Sequence, residues 1–207
     1  MIIYDDIVQG TEEWAKLRCG KPTASNFSML ITSTGLPSKS MQNYAITLAA
    51  EKYAGKSVDA FAGNGYTDRG TLLEPDAKSL YAFSHDVEVT PVGFVTDDLA
   101  RYGCSPDGFI GADGLAETKS LKAENHVKAI LYCKKHKKCP PDYVQQTQGQ
   151  IFICERAWCD LIFYHPDLPL LVIRQERNDK FIEALKGEID CVIEERDMVY
   201  AELTNRG

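Results

Sequence analysis

Near residue 85 the apolar pattern of this sequence changes period, and no other feature narrows the fold as much. Upstream, Leu72, Leu73, Ala77, Leu80 and Tyr81 recur at three- and four-residue spacing, which predicts a helix from Asp68 to about Ser84. Downstream, Val87, Val89 and Val92–Val95 alternate or run short, broken by Pro91 and Gly93. The pieces Tyr102–Cys104, Gly108–Ile110 and Leu115–Ser120 then follow at hairpin distances, with Asp113-Gly114 predicting a two-residue turn between the last two. Helical spacing returns at Ala123–Tyr132 and at Pro141–Cys154, where Pro140-Pro141 suits a helix start. Two apolar strands, Asp160–His165 and Leu170–Gln175, precede a long amphipathic helix over Asn178–Leu203. Toward the N-terminus, Thr11–Leu17 and Thr23–Ile31 read as short helices and Met41–Tyr53 as a longer one, with loops at Ser33–Ser40 and Asp59–Gly65. Helices, a strand cluster, helices, two strands and a helix describe an α/β (α+β) chain with a central mixed sheet flanked by helices. No repeat or linker divides the 207 residues. One domain is expected over 1–207: a helical part to about 84, a sheet core from about 85 to 176, and a C-terminal helix from about 177 to 205.

A chain of this size, 44% hydrophobic and 26% charged, buries about 70% of its unfolded surface and needs no staple to stand. Its longest apolar runs are far too short to span a bilayer. The opening MIIYDDIVQ places two acids where a signal peptide tolerates none, so a cytosolic protein without a membrane partner is expected. Seven cysteines with no CxxC pair argue against a disulfide framework and favour buried or idle thiols. A loosely spaced metal set of Cys133, Cys139, Cys154 and Cys159 with His136 is the minor alternative.

The net charge of −7 argues against a uniformly basic nucleic-acid binder, but the charge is unevenly spread. Lys119–Lys138 holds seven lysines and one acid, whereas Glu176–Glu202 holds nine acids and four bases. Such asymmetry suits a protein that meets a polyanion on one face, and also suits an ordinary solvated loop and helix.

Chemistry concentrates in Ser105-Pro-Asp107-Gly108, ten residues before Glu117-Thr-Lys119. On a hairpin, Glu117 and Lys119 stand at i and i+2 and share a face, and Asp107 at the start of the preceding strand reaches the same point. Two acids and an amine on one sheet face repel and resist desolvation unless a divalent cation resolves the conflict. Asp107, Glu117 and the Thr118 carbonyl supply hard oxygens for it, and Lys119 stands ready to hold or deprotonate a water. The bland reading is an i, i+2 ion pair on a surface hairpin.

Three neighbours strengthen the chemical reading. Arg69-Gly70 with Glu74 offers another carboxylate. Gln148, on the helix after the lysine-rich stretch, offers an amide. Trp14, Arg18 and Gly20 followed by Thr23-Ala-Ser25 set a guanidinium and a hydroxyl close to a helix start, an anion pocket.

Taken in order, Glu13-Trp-x-x-Leu-Arg18-x-Gly-x-x-Thr-Ala-Ser25, Arg69-Gly70-x3-Glu74-x-x-Ala77, Cys104-Ser-Pro-Asp107-Gly108-x8-Glu117-x-Lys119 and Tyr143-Val-x-Gln-x-Gln148 resemble the lambda exonuclease group. These are the YqaJ-like phage recombination nucleases of the PD-(D/E)xK superfamily. The resemblance runs from about Trp14 to the strands near Arg174. It implies a restriction-endonuclease-like core and Mg²⁺-dependent 5′→3′ digestion of one strand of linear duplex DNA, with two ions and with Mn²⁺ as a substitute. It also implies a homotrimer ring that threads DNA ends, a partner single-strand annealing protein, and 3′ overhangs for recombination in a bacterial host cytoplasm. By position, Asp107, Glu117 and the Thr118 carbonyl are its metal ligands and Lys119 its catalytic lysine. Glu74 and Gln148 are its active-site supports, and Arg18 and Ser25 grip the 5′-phosphate, with Lys39 a candidate second phosphate contact. Phe152 departs from the bulkier polar aromatic that often closes the motif in the wider superfamily. The alternatives are a RecB-type repair or restriction endonuclease, which has no use for an end-binding pocket, and a catalytically dead clamp, which the intact acid–acid–lysine set disfavours.

Overall fold

The computed structural model describes residues 1–58 and 65–205, with only the backbone of 65–69 and 71. Helices α1 (Glu12–Arg18), α2 (Met41–Ala54) and α3 (Gly65–His85) precede the strand cluster. Strands β1 (Ile2–Tyr4), β2 (Phe94–Thr96) and β3 (Gly103–Cys104) form a small antiparallel sheet. A second, mixed sheet runs β4 (Gly108–Ile110), β5 (Gly114–Ser120), β6 (Trp158–Tyr164), β7 (Leu171–Glu176). Its β5–β6 pair is parallel and the crossover between them carries α4 (Ala123–His136) and α5 (Pro141–Ile153); α6 (Asp179–Thr204) closes the chain.

Helix starts follow local chemistry. The Thr11 hydroxyl accepts the Trp14 N–H at 3.3 Å and the Asn178 side chain accepts the Phe181 N–H at 3.1 Å, which caps α1 and α6. Pro141 opens α5, where a missing N–H costs nothing. The main core gathers Phe27, Leu30, Ile31, Leu48 and Val95 with Leu115, Ile151 and the Phe181–Val192 stripe of α6. Burial of such side chains at about 25 cal/mol per Å² is what holds α2, α5 and α6 around the sheets.

Three expectations shift. One sheet was expected, but the strands divide into two, and β1 carries too few residues to have shown a period. Thr23–Ile31 is not an α-helix: a six-residue 3₁₀ segment, Ala24–Met29, occupies it, and Thr23 makes no side-chain cap. The β4–β5 turn is the three-residue loop 111–113, with Gly111 at φ +55°, and not Asp113-Gly114. Gly114 belongs to β5 because a Cβ there would lie 2.3 Å from the Trp158 ring, so close packing and not turn geometry requires it. The expected loop Asp59–Gly65 lies outside the described residues, except for Gly65, which begins α3. The cysteines are free thiols, five of them buried, and among the described residues no metal-holding group of His, Cys, Asp and Glu forms.

Candidate active site

The mixed sheet delivers the acids. Asp107 directly precedes β4 and gives its N–H to the Ala116 carbonyl at 3.0 Å, which sets its side chain against β5. Its Oδ2 accepts both the N–H and the hydroxyl of Thr118 at 2.5 Å. Two residues apart in β5, Lys119 Nζ donates to Glu117 Oε1 at 2.7 Å, so the expected shared face is present. Glu117 is only 4% exposed, and α5 supplies its other partners. Gln146 Nε2 donates to Glu117 Oε1 at 2.6 Å while Gln146 Oε1 accepts Lys119 Nζ at 3.0 Å. Gln150 Nε2 donates to Glu117 Oε2 at 2.6 Å.

Tyr143, Gln146 and Gln150 stand at i, i+3 and i+7, one face of α5, and the Tyr143 ring centre lies 5.9 Å from Lys119 Nζ. Gln148 falls on another face. Its amide donates to the Glu176 carbonyl at 2.7 Å and accepts the Asn178 N–H at 2.9 Å, tying the end of β7 to the cap of α6. The structure therefore brings Asp107, Thr118, Glu117 and Lys119 together and leaves Gln148 outside; Gln146 and Gln150 stand where an amide was sought. The three- and four-residue spacing from Tyr143 was the signal that would have selected them. Phe152, the departure from the superfamily pattern, stacks on Tyr102 with ring centres 5.7 Å apart, away from the acids.

Electrostatics show the strain of the arrangement. Burial, then the charges of Glu117 and Glu74, pushes the Asp107 carboxyl up to about 7. Burial alone would lower Lys119, but the adjacent Glu117 outweighs it and holds the ammonium above its ordinary value. Glu74, on α3, accepts Lys78 Nζ at 2.6 Å and faces the acids closely enough to repel Asp107. Asp107 and Glu117, with Glu74 near enough to repel Asp107, offer hard oxygens of the chemistry that a divalent cation takes. Asp107 Oδ1 has no hydrogen bond among the described residues. Since no three acidic, His or Cys side chains there already make a cage, carbonyl, water and substrate oxygens have to complete a shell.

A second charged site lies beside the first. The Arg18 guanidinium stacks 4.1 Å from the Trp14 ring centre, and its Nη2 donates to Ser25 Oγ at 3.2 Å and Thr23 Oγ1 at 3.4 Å. Glu12 is taken by Lys16, and among the described residues no carboxylate ion-pairs Arg18. Burial pulls its pKa down, the mark of a cation short of counter-charge. Arg18 faces a cavity of about 530 Å³ lined also by Lys21, Asn26, Tyr44 and Glu51. Lys21 is the second cation there; Lys39 of the following loop is exposed and does not line the cavity. Trp14 Nε1 donates to Ser105 Oγ at 2.8 Å, which fastens the Arg18 helix to the segment leading into Asp107. The 3₁₀ segment is too short to offer the macrodipole expected of a full helix, so the pocket rests on side chains alone.

The chain matches the model of the YqaJ-like viral recombinase domain over residues 13–157. It belongs to that family. The YqaJ-like match takes in Arg18, Ser25, Glu74, Asp107, Glu117, Lys119 and all of α5. Among solved structures, it is similar to the alkaline exonuclease (LHK-Exo) of Laribacter hongkongensis, at 32% identity and a TM-score of 0.83, covering 95% of this chain and 97% of that one. The same enzyme in complex with dAMP gives 32% identity and a TM-score of 0.82 over the same shares. A phage-related exonuclease from Haemophilus somnus 129PT shares the fold, with a TM-score of 0.70 at 16% identity over 89% of this chain and 96% of that one. No curated protein sequence matches the chain.

Proposed function

We propose that this chain, an exonuclease of the phage recombination type, digests one strand of linear double-stranded DNA from its 5′ end. It leaves 3′ single-stranded overhangs for strand annealing. The observation that carries this reading is a half-buried arginine that has no carboxylate ion-pair partner among the described residues, fastened through Trp14 and Ser105 to an acid–acid–lysine site. A terminal phosphate carries more charge than an internal diester, and a guanidinium takes two of its oxygens together. Arg18, with Ser25 and Lys21, holds that phosphate; the next diester then lies at Asp107, Glu117 and Lys119.

Asp107, Glu117 and the Thr118 carbonyl would hold Mg²⁺, or Mn²⁺ in its place, as two ions once DNA is bound. The metal supplies Lewis-acid polarisation of the phosphate and a lowered pKa for a bound water. Lys119, kept charged by Glu117, positions the water and offsets charge on the five-coordinate phosphorus, and Gln146 steers the lysine. Glu74 adds a carboxylate on the outer side. Water oxygen joins phosphorus as the P–O3′ bond breaks, and a proton goes to the departing 3′ oxygen. Each cut therefore leaves a new 5′-phosphate on the shortened strand, the group that Arg18 receives. The dAMP held by the Laribacter hongkongensis enzyme supports a deoxynucleotide as the ligand class.

A homotrimer ring around DNA ends, an annealing protein as partner and a host-cytoplasm setting complete the proposal. Among the described residues no helix is long and apolar enough to cross a membrane. The test is digestion of end-labelled duplex. Linear 5′-phosphorylated DNA with Mg²⁺ should be degraded from the 5′ end, EDTA should stop it, and closed circles should survive. Cutting of closed circles at a comparable rate would favour the RecB-type endonuclease reading.

A further inference from the structure

We infer that Gln150 is a positioning residue: it holds Oε2 of Glu117 to α5 and so selects Oε1 as the oxygen that turns to a bound cation. The inference rests on the metal-site reading above and goes beyond it in assigning the two oxygens of one carboxylate different tasks.

The asymmetry lies in what each donor loses when its oxygen is taken. Lys119 Nζ and Gln146 Nε2 both donate to Oε1, yet these two side chains also bond each other at 3.0 Å. If a cation takes Oε1, the lysine–glutamine bond remains, and Lys119, 24% exposed, and the half-buried Gln146 can each turn the freed donor to water. Gln150 has no such fallback. It is 1% exposed, and among the described residues its Nε2 donates only to Glu117 Oε2 and its Oε1 meets only the weak Cys159 Sγ donor at 4.0 Å. Losing Oε2 would leave a buried N–H unsatisfied, a penalty far larger than that at Oε1. The opposite amide orientation would point its carbonyl at a carboxylate oxygen, so chemistry also fixes which end faces Glu117.

The helix cannot yield in its place. Gly149 and Ile151 on either side are buried, and a Cβ at Gly149 would lie 2.4 Å from the Phe27 ring, so α5 is seated against the 3₁₀ segment without slack. Gln150 thus presents Glu117 in one rotamer with one free oxygen, which lowers the ordering a cation has to impose.

The test is Gln150→Met, which keeps length and removes the donor, with Gln150→Asn as a second variant whose amide is retained but falls short. The measurement is Mn²⁺ uptake by the DNA-free protein, followed by calorimetry, beside a thermal melt without metal. We expect the Mn²⁺ dissociation constant to rise about tenfold in both variants. The Mg²⁺ requirement for digestion should shift upward in parallel, with much of kcat recovered at saturating Mg²⁺. A residue with only a packing role would lower the melting temperature and leave the Mn²⁺ midpoint of the folded protein in place. A folded variant of either kind that binds Mn²⁺ within twofold of wild type overturns the assignment. Wild type that takes up no Mn²⁺ overturns the metal-site reading itself, and is told apart because Asp107→Asn would then change nothing either.

Discussion

Lys119 and Arg18 are both half-buried cations, and their surroundings meet the two charges in opposite ways. Lys119 has Glu117 at 2.7 Å, and its charge is balanced before any substrate arrives. Removing it leaves Glu117 short of a donor and the reacting phosphate short of a cation. Lys119→Ala and Asp107→Asn are each expected to lower turnover about 10²–10⁴-fold, read by single-turnover digestion. Among the described residues Arg18 bonds only hydroxyls and an indole face, and Glu51, across the same cavity, makes no ion pair with it, so on the proposed reading a ligand brings the counter-charge. Arg18→Ala should erase most of the preference for 5′-phosphorylated over 5′-hydroxyl duplex while Mn²⁺ uptake stays as in wild type. Asp107 adds a dependence on pH. Its folded pKa of about 7 lies above the unfolded 3.8, so the folded chain binds the extra proton between those values. Without metal, this group makes stability fall as pH rises from about 4 to about 7. A cation competes for the same carboxylate, so the melting-temperature rise given by Mg²⁺ should be larger at pH 8 than at pH 6.

Helix α5 shows what is legible in a sequence and what is not. Its existence, its Pro start and its glutamines were all readable, because spacing and turn chemistry act locally. Which glutamine reaches the acids was not readable from a motif position. Gln146 and Gln150 both reach Glu117, while Gln145 bonds the Ile31 carbonyl and Gln148 the backbone at Glu176 and Asn178, and only tertiary packing sorts them so. The β4–β5 hairpin behaved similarly: Asp107, Glu117 and Lys119 converge as the pattern required, but the turn moved because Trp158 needs the space at Gly114. The 3₁₀ segment also escaped a reading by apolar period, since six residues hold only two of its turns. Two substitutions separate the faces of α5. Gln148→Leu should cost about 2–3 kcal/mol through its two lost backbone partners, read by urea unfolding, with metal uptake unchanged. Gly149→Ala should lower the melting temperature, since its methyl enters the Phe27 ring.

At the scale of the whole molecule, charge and apolar surface are sorted by helix. The lysines of α4 and its C-terminal flank are exposed, and most of the acids of α6 are exposed too. On α3, Phe83 is 88% exposed and Leu72 76%, a greasy edge that a lone chain leaves to water. A closed ring would cover such edges and turn lysines toward DNA, so light scattering should report about three times the 23.1 kDa chain mass. Within each chain, the indole of Trp14 joins the phosphate pocket to the strand of acids by one 2.8 Å bond to Ser105. That bond acts as a ruler. In the reaction proposed above, the gap between the grip and the blade is written into the protein, indifferent to which base lies between them, so each stroke should remove a fragment of one size. Trp14→Phe keeps a ring under Arg18 but loosens the ruler, and product sizing should then show mixed fragment lengths where wild type releases a single length.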